Sequence, residues 1–272
     1  MQQRPAASSP AASHTAMSSA ASASAAAGPM GAERVATERI DAMAASGRLP
    51  AGTVALCVAA VAAWKDEPVW LRVALGMAPR HGVAPAALRH VGSLLVLARG
   101  TCAERRYLTA LAQLFPDVAA MAVREGLTDG VGDPWAYFEA HFGAVPDRVR
   151  LLGELLPDEF VTYARRHAAA LHSDVLDPAA AELVLCALNA ADFQQDFLRI
   201  HVAGARRAGA TEIEIAQAAY AATPFSGIAA WPAVAAAIVA TRPEAVADPG
   251  SAVGRQAEAP PPMGRQVGTV PA

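Results

Sequence analysis

The 272-residue chain has little of what most nucleic-acid and redox proteins need. Its formal net charge is −3, and Lys65 is the only lysine, so there is no basic stripe to neutralise phosphates. Three cysteines, Cys57, Cys102 and Cys186, are odd in number and far apart, and no Cys-x-x-Cys occurs. Free thiols in a reducing cytoplasm are the expected state. The histidines form no His-x-x-x-His or His-Glu-x-x-His spacing, so a metal site has little support. No glycine-rich phosphate loop is present either. Aromatics make up only 6% of the residues, and β-branched runs are short. What is abundant is alanine, with leucine, glutamate and arginine, a mixture that favours an all-α fold.

Two stretches have no core-forming pattern. Residues 1–33 are mostly Ala, Ser and Pro and carry no signal-peptide pattern. They are expected to be a disordered leader, as residues 243–272, rich in Pro and Gly, are expected to be a disordered tail. The uncharged run from Gln217 to Ala240 invites a membrane reading. Pro224, Gly227 and Pro232 interrupt it, which predicts two short core helices and no membrane segment.

The remaining chain carries an internal pattern. A first copy begins at Leu49 and a second at Leu176. Trp70-Leu71-Arg72 answers Phe197-Leu198-Arg199, Ala78 answers Ala205, and Gly82 answers Gly209. Pairing Leu56-Cys57 with Leu185-Cys186 needs one small gap. On that alignment Ala74 stands for His201, and Thr53 falls about where Glu182 does. Each copy predicts a helix pair followed by a third helix. In the second copy Asp177 is an N-cap and Pro178 a first helical residue. Its first helix runs to about Phe193, and the next covers about Asp196 to Ala208, closed by Gly209. Thr211 and Glu214 form a capping box, and Pro85 opens the equivalent helix of the first copy. A further helix is expected over Phe160 to Leu171.

The stretch ELVLCALNAADFQQDFLRIHVAGARRAGATEIEIAQA resembles the core of the carboxymuconolactone decarboxylase and alkylhydroperoxidase D superfamily. Glu182-Leu183, the His201-x-x-x-Ala205 segment and Gly209-Ala210-Thr211 carry the likeness. It is good over about Tyr137 to Ala240 and weak over Leu49 to about Ala110. The resemblance implies tandem helical repeats at 34–128 and 129–242, the first degenerate, and a homo-oligomer, a dimer or trimer of this chain. The peroxidase relatives use a cysteine pair before the histidine; here those positions hold Gln194 and Phe197, which excludes thiolate chemistry there. Glu182 and His201 match the proton-relay positions.

What remains resembles the decarboxylase branch, which works without metal or organic cofactor on a small molecule. Such a reaction needs a proton donor, a carboxylate holder and donors for a developing oxyanion. His201 suits the first task, with Glu182 to orient it. Gln194 and Gln195 are candidates for substrate hydrogen bonds, and Arg199 for a carboxylate clamp, although its helical face turns away from His201. Trp64, Trp70 and Phe193 read as core, and Glu139, His141 and Glu154 as solvated faces. Two other readings compete: a silent helical scaffold, with no cavity reaching His201, and a thiol peroxidase, which requires an accessible, acidic Cys57 or Cys186.

Overall fold

The computed structural model describes residues 29–45, 47, 49–122 and 131–242. Among them every regular element is helical. The first half comprises α1 (Pro29–Ala45), α2 (Ala51–Lys65), α3 (Pro68–Met77), a 3₁₀ turn (Ala78–His81), α4 (Pro85–Arg99), α5 (Thr101–Leu114) and the short α6 (Pro116–Ala119). The second comprises α7 (Pro134–Phe142), α8 (Asp147–Leu155), α9 (Pro157–Leu171), α10 (Pro178–Ala191), α11 (Gln195–Arg207), α12 (Glu212–Tyr220), the short α13 (Thr223–Ser226) and α14 (Ala230–Ala240). Helix α1 starts inside the stretch expected to be a leader, and Glu33 on it pairs with Arg72 of α3 at 2.5 Å. Residues 1–28, 243–272 and the expected boundary at 128/129 lie outside the described residues.

Local chemistry sets the helix ends. Asp177 caps α10 by accepting from the Ala180 amide at 3.0 Å. Thr211 and Glu214 form the full capping box at the start of α12. Proline begins α3, α4, α9 and α10, where a missing amide costs nothing. Arg206, near the end of α11, bonds Glu212, the Thr241 hydroxyl and the Ile238 carbonyl, and so ties α11 to α12 and the end of α14.

Helices α2 and α10 are the centre of the protein. They pack on each other, and α10 is buried over almost its whole length from Ala180 to Ala191. Their alanines let neighbouring backbones approach closely. A single apolar core runs from α1 through α5 and on through α10, α11, α12 and α14. A smaller aromatic cluster joins α7, α8 and α9 around Phe138 and Phe160.

The spacing of the two halves is regular. Helix starts Ala51, Pro68 and Pro85 recur 127 residues later as Pro178, Gln195 and Glu212. The left-handed residues follow the same interval: Asp66 (φ 60°) answers Phe193 (φ 55°), and Gly82 (φ 81°) answers Gly209 (φ 95°). The small gap expected for the Leu56-Cys57 pairing therefore does not occur, and Leu56-Cys57 answers Leu183-Val184 rather than Leu185-Cys186. On the uninterrupted register Ala55, not Thr53, is the counterpart of Glu182, and Ala74 is the counterpart of His201. Both alanines are fully buried. Phe193, expected in the core, is 48% exposed because it occupies the left-handed turn between α10 and α11.

Candidate active site

His201 sits one turn and a half into α11, and Glu182 on the second turn of α10. These helices form the second hairpin, and the two side chains meet across it: His201 Nδ1 lies 2.8 Å from Glu182 Oε2. Both residues are buried, at 7% and 4% exposure. Against a carboxylate the ring nitrogen is the donor, so Nδ1–H donates to Oε2. This fixes the tautomer and leaves Nε2 available; Nε2 has no hydrogen-bond partner among the described residues.

Gly204 makes the pair possible. It lies on α11 against the Glu182 carboxyl group, and a Cβ there would overlap both carboxylate oxygens. In the first half the corresponding position is Met77, buried near the end of α3. Where the carboxylate is absent, a long side chain occupies the register position of the glycine.

The pair lies between two cavities. The larger, about 410 Å³, includes His201 in its lining, with Arg99, Arg148, Asn189, Gln194 and Phe197 among the other walls. The smaller, about 330 Å³, is lined by Glu182 with Tyr137, His141, His172 and Arg207. Gln194 thus reaches the cavity shared with His201. Gln195 and Arg199 line neither cavity; both are exposed, and Arg199 is 3.9 Å from Asp196.

Around the pair is a set of aromatic and imidazole groups that the sequence reading did not collect. His141, expected on a solvated face, has a side chain only 7% exposed, and its Nε2 lies 3.7 Å from Glu182 Oε1. That distance is too long for a hydrogen bond, and the buried Nε2 has no partner. Burial lowers the His141 pKa to about 4, with the Glu182 charge opposing the shift. His167 is hydrogen-bonded through Nδ1 to the Tyr137 hydroxyl at 2.7 Å. Burial pushes His167 well below the ordinary histidine range and Tyr137 above the ordinary phenol range. Near neutral pH the His141 and His167 rings beside the pair are therefore neutral, and His201 is the close partner of Glu182. A signal was present in Tyr137 and His141, which are four residues apart and share one face of α7.

Cys57 and Cys186 are buried on the two central helices. Burial pushes the Cys57 thiol up to about 12, and burial followed by the nearby Glu182 charge pushes Cys186 well above its usual value. Neither meets the requirement for a reactive thiolate. Among the described residues no group of three or more His, Cys, Asp or Glu side chains is arranged to hold a metal ion.

An all-α scaffold carrying a buried carboxylate–imidazole pair beside a cavity is the class that fold and site define. Residues 157–240, from the start of α9 to the end of α14, match the model of the carboxymuconolactone decarboxylase family. The match covers Glu182, His201 and Gly204 together. No curated protein and no solved structure matches the chain. No helix among the described residues is long and apolar enough to cross a membrane.

Proposed function

We propose that the protein is a cofactor-independent lyase that decarboxylates a small carboxylated or lactone-like metabolite, with His201 as general acid and Glu182 as the group that orients it. The observation that carries this reading is the buried 2.8 Å contact between His201 and Glu182, with His201 on the wall of a cavity large enough for a monocyclic metabolite. When the C–C bond to the carboxylate breaks, CO₂ leaves and the electron pair passes into the unsaturated lactone as a dienolate. The imidazolium Nε2–H delivers a proton to the remote carbon, and water restores the proton afterwards. Glu182 stabilises the imidazolium through Nδ1–H. Gln194 is placed to hydrogen-bond a substrate oxygen.

A scaffold role fits the first half on a specific observation: Ala55, Ala74 and Met77 replace the three residues of the pair and its glycine. Cytoplasmic residence and a homo-oligomer, dimer or trimer, belong to the same proposal. Exposed Leu151, Leu155 and Leu156 at the end of α8 supply an apolar surface suited to association.

The test is a screen of unsaturated carboxylated lactones for CO₂ release, followed by His201→Asn on the hit. Turnover should fall by about 10² to 10⁴ while the helical circular dichroism and melting curve persist. A folded His201→Asn protein with undiminished turnover would discard the assignment.

A further inference from the structure

The walls of the larger cavity come from both halves of the chain. Trp64 at the end of α2 and Arg99 at the end of α4 belong to the first half; Arg148 and Phe197 belong to the second. The Arg99 guanidinium lies 5.4 Å from the Trp64 ring centroid, and that of Arg148 lies 4.9 Å from the Phe197 ring centroid. Each cation is therefore backed by an aromatic ring.

Neither cation is neutralised by a close carboxylate. Arg99 Nη1 donates to the Ala98 carbonyl at 2.7 Å, and Nη2 donates to the Leu188 carbonyl at 2.7 Å and to Asn189 Oδ1 at 3.2 Å. These acceptors are neutral. Asp192 lines the same cavity and attracts Arg99 at longer range, but it pairs with Lys65 at 3.4 Å. Arg148 has no ion-pair partner among the described residues. Two buried donors on this wall, Arg99 Nε and Trp64 Nε1, also lack an acceptor. A buried donor without a partner is costly unless a ligand supplies the oxygen.

We propose that the first half supplies the anion-binding wall of the His201 cavity: Arg99 and Trp64, facing a site completed by Arg148, hold the carboxylate of a flat, unsaturated acid. The proposal rests on the acid–base reading of that cavity and adds its specificity residues. Arg99 takes the task that the sequence suggested for Arg199. The degenerate half then has a reason to keep the fold after losing the acid–base pair. Fused to the active half, it adds a second cation and ring to the Arg148 and Phe197 of that half.

The experiment is calorimetric titration of the full chain with benzoate, its uncharged analogue benzamide, and benzene-1,4-dicarboxylate. Benzoate and the dicarboxylate should bind at least roughly tenfold more tightly than benzamide. Arg148→Met and Arg99→Met should each weaken benzoate by about tenfold and leave benzamide unchanged. Arg99→Lys should retain part of the affinity because it keeps the charge. If Arg99→Met fails to fold, Trp64→Phe, which keeps the ring and removes the first half's indole donor, decides the question: it should weaken benzoate, and a folded Trp64→Phe protein that binds benzoate like the parent would overturn the proposal. Equal affinity for benzoate and benzamide, no binding of either, or a folded Arg148→Met protein that binds benzoate like the parent would overturn the proposal. Binding is read without turnover. A folded His201→Asn protein that still turned over would instead sink the acid–base reading and leave the anion wall standing.

Discussion

The two helical hairpins share one register of helix starts and left-handed turns, and three of the positions at which they differ hold the pair and its glycine. In the second hairpin Glu182 on α10 reaches His201 on α11 over the gap left by Gly204. In the first, the register places Ala55, Ala74 and Met77 at those positions, all buried. A carboxylate and an imidazole in a core are tolerated only with a partner for each and room for both. Once the carboxylate is gone, the room has to be filled, and methionine fills irregular space well. The register thus holds a polar pair with a glycine in one hairpin and three buried apolar side chains in the other, and we propose that the three positions are coupled.

That coupling can be broken from either side. The largest effect is expected from Ala55→Glu. It places a carboxylate at a fully buried position where Ala74 offers no imidazole and Met77 leaves no gap. A loss of roughly 3–5 kcal/mol in denaturant stability is expected, partly recovered by adding Ala74→His and Met77→Gly. A single variant as stable as the parent would show that the hairpins are not equivalent.

A smaller loss should follow Gly204→Ala. Alanine ordinarily stabilises a helix relative to glycine by up to about 1 kcal/mol. Here the added methyl meets the Glu182 carboxylate, so overpacking of about 1–3 kcal/mol should outweigh the propensity gain. A melting temperature that rises instead would mean that the carboxylate moves aside freely.

The smallest effect is on pH dependence. His141 and His167 have folded pKa values below 6.5, lowered first by burial. Between pH 6.5 and about 4 the unfolded chain binds protons at His141 that the folded chain refuses. Their contribution is complete above pH 6.5 and is lost as the pH falls through that window. The melting temperature should therefore drop between pH 7 and pH 4.5, and less steeply in His141→Gln. Parallel curves for the two proteins would remove His141 from this account.

The pair itself was legible because both residues lie in one local unit. A carboxylate and a histidine 19 positions apart, on helices joined by a short turn, can only meet if the hairpin closes, and Asp177, Pro178 and Gly209 mark its ends. The remainder of the site was not, because it comes from chain segments distant in sequence. His141 and Tyr137 reach Glu182 only after α7 packs on α9 and α11. Arg99 and Trp64 reach the cavity only because the two halves share a core. The misplacement of Thr53 has a simple cause: alanine-rich helices match at several registers, and only the regular interval of helix starts and left-handed turns selects Ala55. Phe193 illustrates the opposite case, an aromatic residue taken out of the core by the backbone geometry of its turn.

The most direct test of the acid–base pair is long-range proton–nitrogen NMR of the histidine rings in the parent protein and in Glu182→Leu. The account predicts an exchange-protected Nδ1 proton on His201 in the parent that disappears when the carboxylate is removed. A His201 ring protonated on Nε2 alone, or a spectrum unchanged by Glu182→Leu, would contradict it.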